Sequence, residues 1–166
     1  MGGNRWTGIS CDTSGRVTGI NLFNLNLRGN LPREIGYLTG LSSLDLHMNS
    51  FTGMVPTDLG LLQNLQYIAL SDNSFAGTIP SQLGTLPNLQ SLYLFGNKFT
   101  GTLPSSLCSG TQQLQKFFPC NGIGSAKCRD LTGCAPSCLS NVTRYNIGIL
   151  NFCSTMPTNS PTAAPT

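Results

Sequence analysis

Four prolines, Pro32, Pro56, Pro80 and Pro104, stand 24 residues apart. Each closes a Gly-x-apolar-Pro unit: Gly29-Asn30-Leu31-Pro32, Gly53-Met54-Val55-Pro56, Gly77-Thr78-Ile79-Pro80 and Gly101-Thr102-Leu103-Pro104. A fixed period of this length specifies a solenoid, in which each repeat packs mainly on its neighbours. That excludes most globular folds at once and points toward recognition rather than catalysis.

Aligning the chain on the prolines brings up further columns. Leu41, Leu65 and Leu89 coincide, as do Leu44, Ile68 and Leu92, and then Leu46, Leu70 and Leu94. The L-x-L step has period two, so both apolar residues face inward from a short strand. Asn49, Asn73 and Asn97 follow. An Asn side chain carries a donor and an acceptor, so repeated at one height it can form a ladder that pairs buried backbone groups. Phe51, Phe75 and Phe99, with Leu27 as first member, fill the space behind the strands. Gly before the apolar-Pro pair permits a backbone that other residues resist. Pro fixes φ and removes a donor, so this stretch is extended or turning. Segments such as Ser81-Gln82-Leu83-Gly84-Thr85-Leu86 are too short and Gly-broken for a long helix, and a helical or 3₁₀ turn is expected.

The first repeat is imperfect: Val17, Ile20 and Leu22 take strand positions, but Leu25 stands where the ladder Asn belongs. After Leu107 the register slips by one, and Leu114, Phe117 and Pro119 form a degenerate fifth strand. The expected organisation is a partial N-terminal cap over 1–16, four repeats over 17–113, the fifth repeat with a Cys-rich cap over 114–153, and a disordered Thr/Pro-rich tail over 154–166. Trp6, Ile9 and the chain around Cys11 are expected to cover the N-terminal end.

Charged residues make up 9% of the 166, and the net charge is +3 with no basic run. That argues against nucleic-acid binding. No apolar stretch reaches the length of a membrane span. Of seven cysteines, Cys108, Cys120, Cys128, Cys134, Cys138 and Cys153 cluster at the C-terminal end. Clustering of this kind reads as a disulfide cap from an oxidising compartment. Six cysteines allow fifteen pairings, and the sequence does not choose among them. The spacing lacks the paired C-x-x-C of a zinc ribbon, so no metal is expected. Asn141-Val142-Thr143 is a glycosylation sequon. Residues 1–10 hold no signal-peptide core, which conflicts with the cysteine reading and suggests a truncated N-terminus.

These residues resemble the plant-type leucine-rich repeat family, from Trp6 to about Cys120. Trp6-Thr7-Gly8-Ile9-Ser10-Cys11 is similar to the end of the family's N-terminal cap, W-x-G-V-x-C. The family pairs that cysteine with an earlier one, so Cys11 is here unpaired or lacks its partner. The Cys-rich end and Thr/Pro tail resemble extracellular leucine-rich repeat proteins of diatoms and other stramenopiles. The resemblance implies a β-rich α/β fold: a right-handed solenoid with a parallel sheet on the concave face. It also implies binding of a peptide, protein or glycan, without a cofactor, at the cell surface or outside the cell. An extracellular matrix or wall spacer and an inhibitor of a secreted hydrolase are the alternatives.

Specificity should lie where the period breaks. On the strand face the outward columns are Asn21, Asp45, Ala69 and Tyr93; Phe23, His47, Ser71 and Phe95; and Gly19, Ser43, Tyr67 and Ser91. Met48 and Asp72 lie nearby. Exposed aromatics invite contact, so Phe23, Asp45, His47, Tyr67, Tyr93 and Phe95 are the candidate ligand residues. Asp45 and His47, two apart on a strand, share a face and could orient a base. No serine or cysteine nucleophile in a recognisable motif accompanies them, and the chain reads as a non-enzyme. Mass mapping of secreted, unreduced protein should find the six C-terminal cysteines oxidised; free thiols throughout would contradict an extracellular chain.

Overall fold

The computed structural model describes residues 6–108, 114–118 and 131–132. The tail, Asn141, Pro119 and Cys120, Cys128, Cys134, Cys138 and Cys153 lie outside the described residues, as does the side chain of Cys108.

The L-x-L steps fold as short strands that stack coil upon coil. β2 (Val17–Asn21), β4 (Ser43–Asp45), β6 (Tyr67–Ala69), β8 (Ser91–Tyr93) and β11 (Lys116–Phe118) form one parallel array. Ile20, Leu44, Ile68, Leu92 and Phe117 lie side by side in it. The pairing of Phe117 with Leu92 places the degenerate repeat one residue out of period, as the sequence requires. β1 (Ile9–Cys11) adds an antiparallel sixth strand at the open edge. Its turn is tied by Asp12, whose carboxylate accepts from the Ser14 and Arg16 backbone and from Arg16 Nε. Those bonds, the Arg16 backbone bond foremost, hold the Asp12 carboxyl below its usual range.

Within that edge, Ile9 packs against the core, whereas Trp6 is 76% exposed. The expectation that Trp6 covers the end is therefore corrected: the β1 strand and Ile9 do so. The Cys11 thiol is exposed and unpaired among the described residues.

The Gly-x-apolar-Pro stretches begin a second array that the alternation alone did not foretell. β3 (Arg28–Asn30), β5 (Ser50–Gly53), β7 (Ser74–Gly77) and β9 (Lys98–Phe99) pair in parallel along the stack. A short parallel pair joins β10 (Gly101–Thr102) to β12 (Leu131–Thr132). Gly29, Gly53, Gly77 and Gly101 all have φ between +75° and +105°, which explains the glycine at this height. The prolines then precede 3₁₀ turns over Arg33–Tyr37, Thr57–Leu61, Ser81–Thr85 and Ser105–Cys108. Pro suits that place because its fixed φ is extended and no donor is needed there. Within the turns the glycine column has another cause: a Cβ on Gly84 would lie 2.4 Å from the Ser106 carbonyl carbon of the next turn.

The core is one continuous cluster between the two sheets and the turns, with Leu41, Leu44, Leu59, Leu65, Ile68, Leu83 and Leu92 wholly buried. Each such side chain contributes roughly 2 kcal/mol from burial. Phe51 and Phe75 stack at 5.9 Å with planes 4° apart, so these two rings of the aromatic column pack face to face.

The Asn side chains bond the coils together in one direction. Asn73 Oδ1 accepts from Phe51 N–H of the preceding coil, and its Nδ2 donates to Leu46 O of that coil and to Leu70 O of its own. Asn97 repeats this with Phe75, Leu70 and Leu94. Asn49 does so with Leu27, Leu22 and Leu46, and also accepts from Leu25 N–H. Each Asn thus serves the coil before it. Among the described residues only β1 precedes the first repeat, so Leu25 stands where no earlier coil calls for an Asn.

Asn73→Ala should lower stability by about 2–4 kcal/mol, since several buried backbone groups lose their partner at once. Asn49→Ala, half-buried at the open end, should cost about half as much. Urea unfolding of both variants gives the comparison; equal losses would contradict the ladder's dependence on burial.

Candidate functional site

Regular stacking sets the outward side chains of the main sheet in rows. Asn21, Asp45, Ala69 and Tyr93 share one row through direct pairing, and Gly19, Ser43, Tyr67 and Ser91 another. Beyond the strand ends the parallel bonding continues: Asn24 N–H donates to His47 O, Met48 N–H to Ser71 O, and Asp72 N–H to Phe95 O. Phe23, His47, Ser71 and Phe95 are therefore aligned as a third row.

Neighbouring rows interlock. The Phe23 and His47 rings stack at 4.8 Å with planes 10° apart. His47 Nδ1 lies 2.5 Å from Asp45 Oδ1, and His47 N–H donates to the same oxygen at 3.1 Å. Asp45 is mostly buried, with its side chain 14% exposed. Tyr67 and Tyr93 meet diagonally across adjacent strands, with centroids 5.6 Å apart. Burial pushes the Tyr67 hydroxyl above the usual tyrosine range, and the nearby Asp45 charge pushes it the same way.

The candidate residues thus form two contact groups, Phe23–His47–Asp45 and Tyr67–Tyr93, with the Asp45 charge felt at Tyr67. Phe95 stands at the far end of the third row, half-buried. Phe23 is the most open of the six, at 47% exposure. The rings pair across strands and yet leave contactable surface. Between the two aromatic groups lie the small residues Ala69 and Ser71, which sequence reading placed in the rows without singling them out. They are buried, with exposures of 2% and 3%. Met48 is half exposed and has φ +56°, in the left-handed region that disfavours its side chain.

A different depression, about 680 Å³, crosses the second sheet and the proline turns, lined by Met54, Val55, Pro56, Ile79 and Pro80 among others. Its apolar-Pro walls are the scaffold columns themselves, identical in kind from coil to coil. The main-sheet face is the better candidate because its rows carry the residues that depart from the repeat. No group of three or more His, Cys, Asp or Glu is placed to hold a metal among the described residues.

Known proteins share this architecture. Residues 39–99 match the leucine rich repeat family. A stretch of 47 residues, 28% of this chain, is 49% identical to a probable leucine-rich repeat receptor-like protein kinase of Arabidopsis thaliana, of which it spans 5%. Among solved structures, the BIR3–SERK2 complex from Arabidopsis thaliana contains a chain with TM-score 0.72 and 27% identity, the overlap covering 89% of this chain and 80% of that one. The ectodomain of the Arabidopsis receptor kinase GASSHO1/SCHENGEN3, in complex with Casparian strip integrity factor 2, has TM-score 0.70 and 35% identity, covering 84% of this chain and 16% of that one.

The Tyr67 assignment is open to direct titration. Alkaline ultraviolet titration should find a late-ionising tyrosine component that Tyr67→Phe removes. Asp45→Asn should lower its midpoint without returning it to the ordinary value, because burial remains. Since the folded-state value is raised, the associated stability is present below the ordinary tyrosine range and is lost as pH rises through the folded value. An unchanged midpoint in Asp45→Asn would break the link between these two residues.

Proposed function

Because the chain belongs to the plant-type leucine-rich repeat family, we propose that it is a non-enzymatic recognition module of the cell surface or extracellular space. It binds a peptide, protein or glycan through the concave face of its main sheet. The observation that carries this reading is the two contact groups, Phe23–His47–Asp45 and Tyr67–Tyr93, on outward rows where the chain departs from its repeat.

The physics suits binding more than chemistry. Short strands locked by the core and the Asn ladder hold the patch in place, so little order remains to be imposed when a ligand arrives. Tyrosine and phenylalanine present large contact areas at low conformational cost. Asp45 and His47 add hydrogen bonding but face no activated nucleophile in a catalytic arrangement. Parallel strands about 4.8 Å apart make the five-strand platform about 19 Å wide along the stack, room for a short extended peptide or a few sugars. A larger partner would need contacts beyond this face.

The related ectodomains support the peptide and protein classes. One is the BIR3–SERK2 complex, and another is a receptor kinase ectodomain in complex with Casparian strip integrity factor 2. The Cys-rich end from Cys108 to Cys153 serves in this reading as a disulfide cap on the last coil, and Asn141 as a glycan site.

A peptide and glycan array probed with the oxidised chain tests the proposal. Tyr93→Ala with Phe95→Ala should weaken binding to the best-bound probe about tenfold or more, with the thermal transition little changed. Undiminished binding would remove the concave face from the mechanism.

A further inference from the structure

On the reading that the main-sheet face binds a peptide, we propose that Asp45 is a positioning residue. It holds the His47 ring so that Nε2 accepts a hydrogen bond from an amide N–H of that peptide. The proton arrangement comes first. His47 Nδ1 lies 2.5 Å from Asp45 Oδ1, and the same oxygen accepts from the His47 backbone N–H at 3.1 Å. An ionised carboxylate only accepts, so the hydrogen between the two side chains sits on Nδ1. In the neutral imidazole the other nitrogen then carries a lone pair and no hydrogen. Nε2 is thereby an acceptor.

The ring is held in this arrangement from two sides. One face lies on Phe23 at 4.8 Å with planes 10° apart, and the Nδ1 edge is held by Asp45, whose side chain is 14% exposed. Turning the ring over would set a carbon-bound hydrogen against that carboxylate and forfeit the bond. The His47 side chain keeps 29% exposure, which is left to its other face and to the far edge, where Nε2 lies. Nε2 has no hydrogen bond among the described residues. An acceptor fixed in direction at a partly open position is preorganised for a donor from outside.

The surroundings select the donor. Phe23, Leu25 and Met48 are each about half exposed. Phe23 stacks on the ring, Met48 is the next residue, and Asn24, between Phe23 and Leu25, donates its N–H to His47 O. The rim around His47 is therefore apolar. The titratable groups nearby are Asp45 on its own coil, Asp72 on the following coil and, beyond Asp45, the Tyr67 phenol; the preceding coil presents Asn21, Phe23 and Asn24. No lysine or arginine stands among them, so a ligand carboxylate is disfavoured while the ring is neutral. A peptide amide beside an aliphatic side chain has the required composition. A pyranose would set hydroxyls against Leu25 and Met48.

Long-range proton–nitrogen correlation NMR of the full chain reads the two imidazole nitrogens separately, and His47 is the one histidine in the sequence. The neutral ring should carry its hydrogen on Nδ1, and Asp45→Ala should move it toward Nε2. N-acetyl-leucinamide should shift the Nε2 signal saturably, and N-acetyl-leucinate should not. When the ring takes up its second proton at lower pH, Nε2 becomes a donor. The amide's affinity should then fall severalfold and the carboxylate's should rise, both following the His47 titration in the same spectra. His47→Phe, which keeps a ring on Phe23, should abolish the amide response at the backbone of residues 23–25 and 47–48. Asp45→Ala should weaken it severalfold, and dispersed spectra will certify that each variant is folded. A neutral ring with its hydrogen on Nε2, no saturable Nε2 shift with the amide, or an equal response to methyl glucoside overturns the assignment. If array ligands still require Tyr93 and Phe95 in that event, the recognition face stands and only the role of His47 falls.

Discussion

The asparagine ladder is the interaction on which the rest of the structure depends. Three amides at a 24-residue interval bond each coil to the one before it. They occupy the place where the chain turns inside the stack, and around the buried Asn73 and Asn97 little water is left to pair its backbone groups. A misplaced coil would leave several of these groups unsatisfied, at about 1–3 kcal/mol each. The ladder therefore fixes the rise and register of successive coils more sharply than leucine packing, which tolerates sliding. Register in turn decides what lies beside what on the outer face.

Function is consequently separated from stability along the period. Inward leucines, the phenylalanine stack, the prolines and the glycines repeat because every coil needs the same solution. Outward positions on the main sheet are free of that demand. Here they hold Phe23, His47 and Asp45, joined by stacking and hydrogen bonding, the Tyr67–Tyr93 pair, and Phe95 at the end of its row. The groove on the proline side, about 680 Å³, is walled in large part by the repeating apolar-Pro positions. Volume alone is a poor guide in a solenoid, because every repeat creates the same furrow.

Much of this was legible in the sequence, for a physical reason. A solenoid turns position in the chain into position in space by simple division, so columns of residues become rows of side chains. The parallel array, the 3₁₀ turns and the positive-φ glycines follow directly. The second parallel array was less visible: β3, β5 and β7 are short, and their Gly and Pro neighbours read as turn rather than strand. The place of Trp6 was also misjudged, because a large apolar side chain near an end suggests a lid, whereas the β1 hairpin lets Ile9 do that work. In the site, aromatic residues announce themselves by type. Ser71 does not. It is buried between the two aromatic groups, which its type alone does not display.

Hydrogen exchange measured by mass spectrometry tests the central claim most directly, using the oxidised chain with and without a peptide selected on it from a display library. Binding to the concave face should slow exchange in the segments carrying Tyr67–Ser71 and Tyr93–Phe95, and leave the second-sheet segments Ser50–Gly53 and Ser74–Gly77 unchanged. Protection confined to the second sheet and the proline turns would contradict the account.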